Sequence, residues 1–178
     1  MKIVKTEFQD IFIMEYASYK DNRGEFVKTI HEETFAEHGL DSKFTESFYS
    51  VSDKNVIRGM HYQKPPADHA KLVYVITGAI IDVVLDIRQN SPTFGQAFSV
   101  ELSAENRKGI YIGKGFAHGF LALEKDTTVE YHTTTSQDKE AEGGIKYDSF
   151  GFKWTIDKPI LSIRDMAFEG FIPSKQYF

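Results

Sequence analysis

The run Val56-Ile57-Arg58-Gly59-Met60-His61-Tyr62-Gln63 puts an arginine, a histidine and a glutamine into a strand-like segment. Histidine has an ordinary pKa of ~6.5, close to working pH, and suits proton transfer. Arginine suits paired contacts to phosphate. Strict alternation sends Arg58 and His61 to opposite faces, and Gly59 offers a bulge that would re-aim one of them. An edge strand with its polar residues in water reads the same way.

Lys71 opens the run KLVYVI on the parity of Val73 and Val75. A lysine on an inward face needs a partner or a ligand anion, unless it snorkels outward from the strand's start. In Phe116-Ala117-His118-Gly119-Phe120 the histidine shares its parity with two phenylalanines, the usual setting of a satisfied core residue. Asp165, in Leu161-Ser162-Ile163-Arg164-Asp165, reads by itself as a helix cap or surface charge. His31 and His38 flank a predicted helix and read as solvated. His132 lies on the outward parity of its strand, beside Glu130. His69 sits in the loop KPPADHAK, where ligand contact is the less common role.

These groups need a frame, and strand signals dominate. Ala79 to Ile87 reads AIIDVVLDI, with apolar odd positions; Asp82 and Asp86 on the even ones predict a wet face. Lys71 to Ile76 is apolar on both faces after its lysine, as in the middle of a sandwich or at an oligomer interface. Thr77-Gly78 joins the two runs as a tight turn. Alternation recurs at Phe98, Val100 and Leu102, and at Val129, Tyr131 and Thr133. Several short strands with turns between them point to an antiparallel sandwich or barrel. One helix is expected near Glu32 to His38, ended by Gly39, and a helical turn from Ser103. From about Asp148 the chain should wrap over the body as loops and short helices. One domain over 1–178 is expected.

Composition narrows the classes. The chain has 178 residues, a net charge of −5 and no cysteine. The acidic balance argues against a surface devoted to nucleic acid or anionic membrane. Without cysteine there are no disulfides, thiolate nucleophiles or Cys-ligated zinc, and a reducing compartment suits the chain. No stretch is long enough for a membrane helix, and MKIVKTEF lacks the apolar region of a secretory signal. Cytoplasm is the default expectation.

An ordered set of motifs carries a resemblance. DNRGEF at 21–26, RGMHYQ at 58–63, KLV at 71–73, SPTFG at 91–95, LSAEN at 102–106, GFAHGF at 115–120 and LSIRD at 161–165 resemble the dTDP-4-dehydrorhamnose 3,5-epimerases. The resemblance implies an all-β, cupin-type antiparallel jelly roll with a few short peripheral helices. It implies a homodimer, often with N-terminal strands contributed across it, and neither metal nor cofactor. The implied ligand is a nucleotide-diphospho 4-keto-6-deoxy sugar. His61 then matches the catalytic base, Asp165 its paired carboxylate, and Lys71 the lysine near the 4-keto oxygen. Arg23, Arg58, Gln63, His118, Glu46, Phe48 and Tyr147 match pocket positions. The chemistry fits these types. A C4 ketone acidifies C–H at C3 and C5, a histidine held by a carboxylate removes the proton, and an ammonium stabilises the enolate.

Departures are equally specific. Where the family places the tyrosine that serves as opposite-face acid, this chain has Gln137. Lys28, Glu46 and Phe48 stand where Glu, Gln and Asn are usual, so the sugar or nucleotide preference should differ. The expected activity is epimerisation at C3, C5 or both, in deoxysugar biosynthesis of the rhamnose type. The alternatives are a related ketoisomerase, a single-carbon epimerase with another nucleotide sugar, and a non-catalytic sugar-nucleotide binding jelly roll. A metal-dependent cupin would need a second histidine two residues after His61, where Gln63 stands.

Overall fold

The computed structural model describes all 178 residues. The strands β1 (Lys2–Lys5) and β2 (Ile11–Glu15) form one hairpin, and β3 (Ser18–Asp21) and β4 (Gly24–Val27) a second, separate one. The helix α1 (Glu32–Glu37) follows. Then come β5 (Glu46–Ser52), β6 (Ile57–Gln63), β7 (Lys71–Thr77), β8 (Ala79–Asp86), β9 (Ala97–Ser103), β10 (Lys108–Ile112), β11 (Phe116–Ala122), β12 (Thr127–Thr133), a short β13 (Glu142–Gly144) and the one-turn helix α2 (Ile163–Met166). One sheet has the order β1-β2-β10-β7-β12-β5 and the other β13-β6-β11-β8-β9, antiparallel throughout. No helix is long and apolar enough to cross a membrane.

From β5 to β12 the chain changes sheet at most connections. The turn at Gly78 (φ 78°) is one such crossing, from β7 to β8, and the expected Thr77-Gly78 turn is present. This two-sheet path is the jelly roll that the strand pattern implied. Between the sheets lies an apolar core that includes Val73, Val75, Ile80, Val84, Ile110 and Phe120. Each side chain of this size contributes roughly 1.5–3 kcal/mol when fully buried.

Both sheets are also covered outside, which corrects two expectations. The odd face of β8, with Val83 and Leu85, packs under the C-terminal wrap through Trp154, Phe171 and Tyr177. Its even face joins Ile80 and Val84 to the central core, so Asp82 is buried rather than wet. Asp86 is buried as well, bonded by Arg88, Ser91 and Thr93 of the SPTFG region. Both carboxylates have fixed partners, which is how charge survives inside a core. On the six-stranded sheet, α1 covers Met14, Leu72 and Tyr111 with Phe35. His132 belongs to this layer, not to solvent: it stacks on Tyr74, whose hydroxyl lies 3.1 Å from Nε2. The segment after Ser103 makes a tight turn between β9 and β10 rather than a helix. Asn106 Oδ1 caps it by accepting from the Ser103 and Lys108 N–H groups.

Candidate active site

The bulge offered by Gly59 is present. His61 pairs with His118, while Arg58 pairs with Phe120, so three steps on β6 match two on β11. Gly59 has φ 131°, and a Cβ there would lie 2.6 Å from Gly119 Cα. Only glycine fits both that backbone and that approach. The bulge also turns the Gly59 N–H towards α2, where it donates to Asp165 Oδ2 at 3.2 Å.

Asp165 holds His61. Its Oδ1 lies 2.8 Å from His61 Nε2. Ser162 caps α2 by accepting from the Asp165 N–H, which fixes the carboxylate. Burial by itself would raise the Asp165 carboxyl, but hydrogen bonds from His61, Gly59 and Ser162 and the His61 charge hold it below the usual range. An ionised carboxylate at Nε2 assigns the ring proton there and leaves Nδ1 free to take another. The Phe168 ring packs edge-on against the imidazole.

A cavity of about 370 Å³ opens between the sheets, lined among others by Glu46, Phe48, His61, Gln63, Lys71 and Gln137. His61 stands on the five-stranded wall and Lys71 on the six-stranded wall facing it. No protein atom hydrogen-bonds or ion-pairs with Lys71 Nζ. Burial brings the Lys71 ammonium down to about 8, and the charges of Asp82 and Glu142 offset part of that effect. Such a cation can stabilise an oxyanion forming in the cavity.

The other expected positions divide into three groups. Phe48 lines the cavity and stacks on Tyr131, centroids 4.8 Å apart. Glu46 Oε2 accepts from the Gln137 N–H at 2.7 Å, and Gln137 Nε2 donates to Glu142 Oε1 at 2.6 Å. Gln63 reaches the wall but spends its amide on the protein, donating to Ala67 O and accepting from Asp138 N. His118 sits behind the wall, 4% exposed, 2.8 Å from Asp82. Arg58 opens instead on an adjoining groove with Arg164 and Asp165, its guanidinium on Ser52 Oγ and Val51 O.

Besides His118 and Arg58, two more positions stand away from the cavity. Arg23 tips the β3–β4 hairpin, ion-paired to Asp21 and exposed, because that hairpin stands off both sheets. Tyr147 packs beside Trp154 in the C-terminal wrap. Conversely, sequence reading passed over Glu142 and Arg164. They line the cavity and pair with each other at 3.0 Å, 22 residues apart. The only signal was Arg164 next to Asp165.

Comparison with known proteins fits this geometry. The profile of the dTDP-4-dehydrorhamnose 3,5-epimerase family matches residues 5–172. The chain belongs to that family. It is 38% identical over 181 residues to the dTDP-4-dehydrorhamnose 3,5-epimerase of Shigella flexneri, covering 100% of this chain and 99% of that one. Among solved structures, RmlC from Legionella pneumophila in complex with dTDP-4-keto-L-rhamnose superposes with a TM-score of 0.90 at 36% identity. The match covers 95% of this chain and 92% of that one. ChmJ from Streptomyces bikiniensis, a 3′-monoepimerase in complex with dTDP-quinovose, gives a TM-score of 0.89 at 29% identity over 94% and 86% of the chains. As a dTDP-4-dehydrorhamnose 3,5-epimerase family member, the chain is an isomerase of nucleotide sugars, and its jelly roll is the RmlC-type cupin fold.

Proposed function

We propose that the cavity binds a dTDP-linked 4-keto-6-deoxy sugar and that His61 epimerises it next to the ketone. His61 Nδ1 takes the proton from C3 or C5, the C–H electron pair becomes the new C=C bond, and the carbonyl π pair moves onto O4. Lys71, on the facing wall, stabilises that oxyanion. The O4 pair then re-forms the ketone as the carbon takes a proton from solvent on its other face, and the histidine returns its own proton to solvent. The observation that carries this is the His61–Asp165 contact of 2.8 Å, set across the cavity from an ammonium with no protein partner. Arg58 and Arg164 are the cations for the diphosphate.

Gln137 supports a narrower reading. An amide is no acid near neutral pH, so one of the two carbons lacks its proton donor. Single-carbon chemistry has a precedent in the fold, since ChmJ is a 3′-monoepimerase. We further propose a homodimer in which the exposed β3–β4 hairpin, with Tyr19 and Phe26, carries Arg23 to the partner's cavity. A cytoplasmic setting completes the proposal, and the cysteine-free chain suits a reducing compartment.

The test is incubation with dTDP-4-keto-6-deoxyglucose in D₂O, read by NMR. Deuterium at C3, C5 or both is the expected result, abolished by His61→Ala. Absence of exchange at both carbons would remove the proposal.

A further inference from the structure

His69 shares the cavity with His61 and Lys71 but has no part in the chemistry above. Its Nδ1 lies 3.2 Å from Gln63 Nε2. That amide cannot turn over, because its oxygen accepts from Asp138 N at 2.7 Å and its nitrogen donates to Ala67 O at 2.6 Å. The second amide hydrogen has two acceptors within reach, His69 Nδ1 at 3.2 Å and Ser136 O at 3.4 Å, and the shorter contact makes Nδ1 the acceptor; Thr135 Oγ1, also 3.4 Å from Nδ1, already donates to Ala67 O. The ring proton is then on Nε2. That N–H is buried and bonds to no protein atom, an uncommon state for a native donor. Burial, with the neighbouring Lys71, His118 and Lys114, brings His69 down to about 3, so the ring stays neutral in the working range.

We propose that His69 is a binding residue for the sugar, its Nε2–H donating to an uncharged ring oxygen on the Lys71 side of the cavity. A neutral donor adds no charge for the diphosphate, which has Arg58 and Arg164. It does reward a correctly placed sugar oxygen, because the donor otherwise goes unpaired. Gln63 is then a positioning residue that acts through His69 by fixing its tautomer. This inference rests on the sugar-nucleotide reading of the cavity.

Two measurements test it. Two-bond ¹H–¹⁵N spectra of histidine-labelled wild-type protein should show His69 as the neutral Nε2–H form at pH 7. Its Nε2 resonance should move with dTDP-glucose and stay in place with dTDP. An Nδ1–H form, or a resonance that dTDP moves equally or dTDP-glucose leaves in place, overturns the proposal. In kinetics, His69→Phe should lower kcat/KM about tenfold, with inhibition by dTDP within twofold of wild type. His69→Gln, which keeps an N–H donor, should stay within threefold. A His69→Phe variant equal to wild type, or one that weakens dTDP as much as substrate, also overturns it. A wild-type protein that exchanges no deuterium would instead defeat the epimerase reading, before any His69 variant is compared.

Discussion

His61 and His118 are direct cross-strand partners, yet each answers to its own carboxylate. Asp165 reaches His61 from the C-terminal wrap, and Asp82 reaches His118 from the neighbouring strand β8. The His61 side chain is 35% exposed and His118 only 4%. Two similar pairs thus have different fates. The open one can meet a substrate, and the sealed one keeps a carboxylate near Lys71.

Asp165→Asn replaces an acceptor by an amide that can donate to Nε2, which would leave His61 in the wrong tautomer. The rate of deuterium exchange should fall roughly 10²- to 10⁴-fold, while KM changes little. Single-turnover exchange followed by NMR checks this. A loss under threefold would mean that the carboxylate does not orient the base.

Lys71 gives two pH signatures. Its ammonium is lost as pH rises through about 8, so kcat should decline on the alkaline side. Stability runs the other way. The folded value of about 8 lies below the ordinary 10.5, so the charged lysine destabilises the fold at pH 7 and the cost fades as pH climbs towards 10.5. Lys71→Met should therefore be inactive yet melt a few degrees higher at pH 7, with the gap closing by pH 10. Calorimetry across that range decides it.

Gln137→Tyr puts a phenol on the segment that Glu46 and Gln63 already hold. Exchange at the slower carbon should rise at least tenfold, on the order of a general-acid contribution. Equal exchange at C3 and C5 in the wild type would sink the single-carbon reading.

Gly59→Ala should cost about 2–4 kcal/mol in urea unfolding, since it combines a φ of 131° with a clash against the β11 backbone. Activity should fall with it, because the Gly59 N–H is a ligand of Asp165. Wild-type stability would show that β6 and β11 can part there.

The proposed exchange of hairpins predicts complementation. An Arg23→Ala protein, weak alone, and an inactive His61→Ala protein should regain activity when unfolded and refolded together, because one mixed site holds both native residues. Mixtures no better than the sum of their parts would place Arg23 outside the partner's site.

Much of this was legible because alternation and turns have local signatures. The Thr77-Gly78 turn, the bulge at Gly59 and the doubly covered β7 all follow from short stretches. Periodicity misread Asp82 and Asp86, since two aspartates on one parity look wet unless their partners are known. His118, 36 residues from Asp82, is a matter of packing, whereas Arg88 stands two residues from Asp86 and only its direction was hidden. His61 and Asp165 lie 104 residues apart, and only the ordered motifs joined them. Glu142 and Arg164 stayed hidden because an ion pair between a three-residue strand and a one-turn helix leaves no periodic trace.

Asp165 belongs to a helix of one turn that follows every strand of both sheets. Synthesis therefore completes the barrel, with His61 and Lys71 already on its walls, before the residue that arms the base has been made. A chain stopped in the loops after β13 would lack both Arg164 of the cavity lining and the carboxylate that holds His61. His61 therefore gains its carboxylate partner only when that one capped turn docks.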